Sequence, residues 1–204
     1  MKRFLALGDS YTIGEAVPET SRWPIQLATL LRVHGVEVAD PEIVAVTGWT
    51  TDELADGIAA ARPQGPFDLV SLLIGVNNQY RGLGLEAYRA DFAALLHRAV
   101  AFAGGRADHV LVLSIPDWSV TPFAADRDRA AIAAAVDRFN EAKRLEALRA
   151  GAAWLDITPV SRRAAADASL LADDGLHPSG SMYAEWADMA LPHALAALRA
   201  SGHL

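Results

Sequence analysis

The chain has 204 residues, of which 52% are hydrophobic, and its length suits one compact domain over residues 1–204. It contains no cysteine, which excludes disulfide bonds, thiolate catalysis and cysteine-bound zinc. A formal net charge of -7 argues against nucleic acid or anionic membrane as the main partner. The apolar run after Lys2 and Arg3 stops too soon for a signal peptide, and no stretch approaches the ~18 apolar residues of a spanning helix. We therefore expect a cytoplasmic protein.

Apolar runs that end at turn residues alternate with stretches of helical periodicity along the chain. The predicted strands cover 4–7, 42–46, 67–74, 109–115 and 153–156. The predicted helices begin near Ser21 and at Thr51, with this threonine as N-cap, and cover 85–103, 126–149 and 179–199, with a weaker helix after 156. This alternation predicts an α/β fold with a parallel five-stranded sheet that helices cover on both faces.

Glycines or polar residues follow the first three strands at the points where the strands end. Ser10 follows the first strand, Gly48 the second and Asn77 the third. The carboxyl ends of parallel strands share one edge of the sheet, so we expect these residues to converge there. Asp174 and His177 come later in the chain. A serine, an oxyanion-stabilising group and a histidine with a nearby carboxylate are the groups that acyl transfer requires.

The arrangement resembles the SGNH hydrolases, also called the GDSL family of esterases and lipases. The four sequence blocks of that family are matched here by Gly8-Asp9-Ser10, Gly48, Gly75-Val76-Asn77 and Asp174-Gly175-Leu176-His177. These blocks occur in the family's order and span nearly the whole chain. The resemblance implies a three-layer, flavodoxin-like α/β/α fold and hydrolysis of carboxylic esters without a metal or cofactor.

The resemblance also implies a role for each matched residue. Ser10 is then the nucleophile, His177 the base and Asp174 the acid of a catalytic triad. The backbone N–H groups of Ser10 and Gly48, together with the side-chain amide of Asn77, form the oxyanion hole.

Three neighbouring residues qualify these assignments. Asn78 stands where the family usually has aspartate, and we expect a changed local hydrogen bond with retained chemistry. Asp173 competes with Asp174 as the acid, although its spacing to His177 is one residue longer. Asp9 is expected to be a structural carboxylate that accepts hydrogen bonds from nearby backbone N–H groups.

Four aromatic residues adjoin the predicted site and are candidates for substrate binding. They are Tyr11, Trp49, Tyr80 and Trp118. A role in the core is equally compatible with each, although pockets are mostly lined by apolar and aromatic side chains. The loops over residues 79–84 and 117–125 are candidate specificity elements and lids.

The sequence therefore predicts a serine hydrolase that cleaves small or lipid-like acyl esters through an acyl-enzyme, with a small-molecule ester as its partner. An acyltransferase that passes the acyl group to an alcohol is an alternative with the same chemistry. A non-catalytic, flavodoxin-like binding module is an alternative from another class. A nucleotide or flavin binder is disfavoured, because no phosphate-binding glycine pattern follows the first strand.

Overall fold

Five parallel strands form one sheet in the computed structural model, which describes residues 1–200, with side chains up to residue 199. The strands are β1 (Phe4–Gly8), β2 (Glu42–Ala45), β3 (Leu69–Leu73), β4 (Val110–Leu113) and β5 (Ala153–Leu155). They lie in the order β2-β1-β3-β4-β5, with Leu7 of β1 beside Val44 of β2 and Leu72 of β3. The predicted parallel five-stranded sheet is confirmed.

The strand order reverses between β1 and β3. From β1 the chain adds β2 on one side, and then crosses to the other side to build β3, β4 and β5 in turn. Such a switch point opens a crevice outside the carboxyl ends of the two strands, where ligands bind in open α/β sheets. Both strands are buried along their whole length, so only their ends are available to a substrate.

Helices connect the strands and cover the sheet. Their bounds are α1 (Ser10–Ile13), α2 (Trp23–Val33), α3 (Thr51–Ala61), α4 (Val76–Tyr80), α5 (Leu85–Phe102), α6 (Arg129–Ala150), α7 (Thr158–Arg162) and α8 (Gly180–Ala200). Helices α2 and α8 pack against each other, and α5 packs against both α3 and α6. Among residues 1–200, no helix is both long and apolar enough to cross a membrane.

Capping groups decide where the helices differ from their predicted bounds. The N-cap of α3 is Thr50 and not Thr51, because Thr50 forms a capping box with Glu53. Helix α6 starts at 129 and not at 126, because the Asp128 carboxylate accepts from the Ala131 N–H as its N-cap. Residues 76–80, where no helix was predicted, form α4. Residues 201–204 of the predicted domain lie outside the described part of the chain.

Candidate active site

Ser10 is the first residue of α1, directly after the turn that ends β1. Asp9 is the N-cap of this helix, and its Oδ1 accepts a hydrogen bond from the Tyr11 N–H at 3.0 Å. There is no room for a side chain at Gly8, because an added Cβ would lie 2.2 Å from the Thr12 hydroxyl of α1 and 2.4 Å from the Leu73 carbonyl oxygen of β3. Glycine is therefore required at this position. The prediction that Asp9 is a structural carboxylate is confirmed.

Gly48 lies in the loop between β2 and α3, with a φ of +87° that favours glycine. Two side chains from the α4 region hold this loop. Arg81 donates from Nη2 to the Gly48 carbonyl oxygen at 2.6 Å, and Asn77 donates from Nδ2 to the Trp49 carbonyl oxygen at 2.9 Å. A primary amide carries two N–H donors, so Asn77 keeps a second donor for a substrate.

Asn78 of α4 is hydrogen-bonded to Thr51, at the end of the Gly48 loop. It is buried; its Oδ1 accepts from the Thr51 N–H at 3.1 Å, and its Nδ2 donates to the Thr51 hydroxyl at 2.8 Å. The Thr51 hydroxyl in turn donates to Asp91 at 3.3 Å. An aspartate at position 78 would accept this hydroxyl proton itself. With asparagine at this position, the Thr51 hydroxyl accepts from Asn78 and donates to Asp91.

Asp174 and His177 form a hydrogen-bonded pair shortly before α8. His177 Nδ1 lies 2.6 Å from Asp174 Oδ2, and Asp174 Oδ1 accepts from the backbone N–H groups of Leu176 and His177, both at 2.9 Å. Burial raises the pKa of Asp174. The hydrogen bonds lower this pKa by a larger amount, so it lies below its ordinary value. An ionised carboxylate accepts from Nδ1–H, which leaves Nε2 as an acceptor. Asp174, and not Asp173, is the carboxylate bonded to the ring.

One cavity of about 170 Å³ brings these segments together. Ser10, Gly48, Asn77 and His177 all line it, with Asp174 bonded to the histidine ring. The remaining lining residues, mostly apolar or aromatic, are Tyr11, Thr47, Val76, Tyr80, Trp118, Phe123 and Leu176. Among residues 1–200, no group of three or more His, Asp and Glu side chains is placed to hold a metal ion.

The structure brings Tyr11, Tyr80 and Trp118 to the cavity but not Trp49. The Trp49 indole packs against Gly57 of α3, where an added Cβ would lie 2.1 Å from the Trp49 ring. The missing side chain of Gly57 leaves the space that the indole fills. Trp49 therefore contributes its carbonyl oxygen to the Asn77 hydrogen bond and its ring to packing against α3.

Some residues at the cavity were not identified from the sequence. Val76 and Leu176 line the cavity from the unspecified positions inside the Gly-x-Asn and Asp-x-x-His blocks, and Phe123 lies in the loop predicted to affect specificity. Arg81 follows Asn77 by one helical turn, and this spacing was the available signal that both could reach the Gly48 loop.

A buried lysine interacts with Asp9, the residue before Ser10. Lys143 of α6 is fully buried, and its Nζ donates to the Ile74 carbonyl oxygen, just after β3, at 3.0 Å. Burial lowers the pKa of Lys143 to about 7, although the charge of Asp9 opposes this shift. Burial likewise raises the pKa of Asp9 to about 7, opposed by the Tyr11 N–H and the charge of Lys143. The charge of each group thus partly offsets the effect of burial on the other.

A serine and a carboxylate-bound histidine also occur together in the active sites of serine hydrolases, on several unrelated folds. For this chain the family can be stated. Residues 6–185 match the GDSL-like Lipase/Acylhydrolase family, and the chain belongs to this family. Family membership supports ester hydrolysis as the general activity.

Solved structures at 15–18% sequence identity share the fold. TesA superposes with a TM-score of 0.73 at 18% identity, covering 97% of this chain and all of its own. The psychrotrophic esterase EstA from Pseudoalteromonas sp. gives 0.73 at 15% identity, with coverages of 98% and 100%. The lipase/acylhydrolase from Enterococcus faecalis gives 0.71 at 17% identity, with 94% of each chain covered. These similarities confirm the predicted three-layer α/β/α fold. No curated protein matched the sequence in the comparison.

Proposed function

We propose that the protein is a serine ester hydrolase in which Ser10, His177 and Asp174 act as the catalytic triad. The observation that carries this proposal is the single cavity lined by Ser10, Gly48, Asn77 and His177, with Asp174 bonded to the histidine ring. These groups come from distant parts of the chain, and they supply a nucleophile, a base and amide donors at one point.

In the proposed reaction Ser10 Oγ attacks the ester carbonyl carbon while His177 Nε2 takes the hydroxyl proton. The tetrahedral intermediate collapses, the bond to the alcohol oxygen breaks, and His177 returns the proton to the leaving alcohol. Water then attacks the acyl-serine, with His177 again as base, and releases the acid and free Ser10. Asp174 holds the tautomer in which Nε2 accepts, and it stabilises the imidazolium that forms.

The oxyanion of each intermediate is held by amide donors. We assign this role to the backbone N–H groups of Ser10 and Gly48 and to the second N–H of Asn77. The first Asn77 N–H is engaged by the Trp49 carbonyl, and the Gly48 carbonyl is engaged by Arg81, so the donors are fixed before the substrate arrives. Preorganised donors of this kind are usually the largest electrostatic contribution to catalysis.

The size of the cavity favours a small acyl group. Its volume of about 170 Å³ is close to the roughly 150 Å³ of an engineered apolar cavity that binds benzene. A short aliphatic or an aryl acyl group fits such a space, whereas a long fatty acyl chain would extend into solvent. We therefore propose small carboxylic esters as the substrate class.

A series of 4-nitrophenyl esters from acetate to decanoate tests this function. We expect kcat/KM to be highest for the short members. Ser10→Ala should abolish most of the activity, whereas Asn77→Ala should lower kcat by roughly 10²–10³, as expected for one oxyanion donor. Ser169→Ala removes an exposed hydroxyl outside the cavity and is the matched control. Substantial turnover by Ser10→Ala would contradict the assignment.

Acyl transfer is the second candidate. The exposed rings of Tyr80 and Phe123, beside Trp118, give the cavity an apolar edge, which disfavours water as the acyl acceptor. Product analysis with and without an added primary alcohol separates the two reactions. A new ester formed at the expense of free acid would favour transfer.

A further inference from the structure

A second cavity of about 390 Å³ adjoins the catalytic one. We call it the outer groove. It shares Tyr80 and Trp118 with the catalytic cavity, and its other lining residues are Gln79, Arg127, Asp128, Ala131 and Ile132. Because Tyr80 is 44% exposed, the two spaces meet at an accessible aromatic edge. A substrate that fills the catalytic cavity therefore lies beside a larger space, which charged side chains help to line.

Arg127 is held in place in the outer groove. Its guanidinium carbon lies 5.0 Å from the ring centroid of Tyr80, 5.6 Å from that of Trp118 and 5.4 Å from that of Phe123. One terminal nitrogen, Nη2, donates to the Tyr80 hydroxyl at 3.1 Å. These rings also contact one another, with centroids 5.5 to 6.1 Å apart. The cation is thus fixed on an aromatic cluster that belongs to the wall of the catalytic cavity.

The charge of Arg127 has no carboxylate partner within 4 Å in the described part of the chain. Arg81, Arg89 and Arg162 are, by contrast, each paired with an aspartate or glutamate. The neighbouring Asp128 accepts from the Ala131 N–H as the N-cap of α6. In a chain with a net charge of -7, a fixed and unpaired cation beside the catalytic cavity is a specific electrostatic feature.

We propose that the outer groove binds an anionic group, a carboxylate or a phosphate, at the end of the ester substrate remote from the cleaved bond. This inference rests on the proposed ester hydrolysis. The planar guanidinium binds such anions through paired N–H donors, and Tyr80 uses only one of those donors. The aromatic rings exclude water from one face of the cation, which strengthens its interaction with an anion. Arg127 is then a residue that determines specificity.

Matched pairs of esters test the charge preference directly. The acyl arm uses mono-4-nitrophenyl esters of succinic, glutaric and adipic acid, each compared with the neutral ω-amide of the same length. The alcohol arm uses butyryl glycerol phosphate compared with butyryl glycerol. The two arms distinguish a carboxylate at the acyl end from a phosphate at the alcohol end. We expect kcat/KM for the anionic member to exceed that of its neutral partner about tenfold in one arm.

Charge-changing variants assign the preference to one side chain. Arg127→Gln should remove the preference and leave the neutral esters within about twofold of the wild type, whereas Arg127→Lys should retain part of it. Arg138→Gln removes the same charge from an exposed position on α6 and should retain the full preference. Higher salt should reduce the preference in the wild type, because the arginine is accessible to solvent.

The outcomes separate this inference from the function on which it rests. If the neutral esters have the same kcat/KM as their anionic partners in both arms, the anionic subsite alone is overturned. An equal loss on anionic and neutral esters in Arg127→Gln would also overturn it, and would show that the arginine only packs the aromatic wall. Failure of the wild type to hydrolyse any of these esters would overturn both the subsite and the proposed function.

Discussion

Replacement of Arg81 by alanine should lower kcat about tenfold and leave KM within about twofold. Arg81 donates to the Gly48 carbonyl at 2.6 Å and pairs with Glu53 at 3.2 Å, so it connects the Gly48 loop to the end of α4. Without it the loop keeps the Asn77 and Asn78 hydrogen bonds, but the Gly48 peptide loses its own anchor. The variant therefore tests whether the position of Gly48 matters for the reaction.

The magnitude follows from the exposure of the side chain. A hydrogen bond to a charged group contributes about 1.5–3 kcal/mol. The Arg81 side chain is 45% exposed, so water replaces part of this interaction, and we take the lower end. A loss of about 1.4 kcal/mol in transition-state stabilisation corresponds to a tenfold decrease in rate. The oxyanion exists only along the reaction path, which is why kcat and not KM should change.

The assay is steady-state hydrolysis of 4-nitrophenyl butyrate. Arg81→Lys keeps a cation and should recover part of kcat, and Arg138→Ala is the matched control on an exposed helix face. Thermal unfolding of each variant separates a local effect from a loss of fold. An unchanged kcat, or a raised KM with an unchanged kcat, would refute the role given to the Gly48 loop.

Three further predictions concern the surrounding structure. Asp9→Asn retains an N-cap and removes a carboxyl group whose pKa in the folded protein is raised to about 7. Between about pH 4 and 7 the wild-type native state keeps a proton that the unfolded state releases, so the wild type loses stability as pH rises. The variant should therefore gain stability relative to the wild type from about pH 4 to 7. Urea unfolding at both pH values checks this, and a constant difference would contradict it. Asn78→Asp should keep kcat within about threefold of the wild type. Asn78→Leu leaves the buried Thr51 N–H without its acceptor, so it should lower the stability by about 1–3 kcal/mol and lower kcat by more than Asn78→Asp does. Gly57→Ala forces a Cβ to 2.1 Å from the Trp49 ring and should cost about 1–3 kcal/mol in urea unfolding; an unchanged midpoint would show that the indole moves freely.

The parallel sheet was predictable because its strands are continuous apolar runs that stop at turn residues. Glycine or polar residues stand at those stops, and strand direction alone placed Ser10, Gly48 and Asn77 at one edge. Element bounds were less predictable, because single capping groups set them. The α3 start, for example, depends on whether Thr50 or Thr51 reaches the backbone, which periodicity does not encode.

The polar part of the site was more predictable than its walls. Asp174 could be chosen over Asp173 from its spacing to His177, and it is Asp174 that bonds to the ring. The ring of Trp49 could not be placed, because its direction depends on the space beside Gly57, a tertiary contact. Cation–π contacts such as those of Arg127 likewise depend on packing between segments and have no sequence signal.

Covalent labelling with an organophosphonate tests the central claim most directly. An organophosphonate reacts with an activated serine hydroxyl, and peptide mapping by mass spectrometry identifies the residue that it modifies. We predict a single adduct on Ser10, no adduct in Ser10→Ala, and much slower labelling in His177→Gln. An adduct on another residue, or wild-type protein that remains unlabelled, would contradict the assignment of Ser10 as the nucleophile.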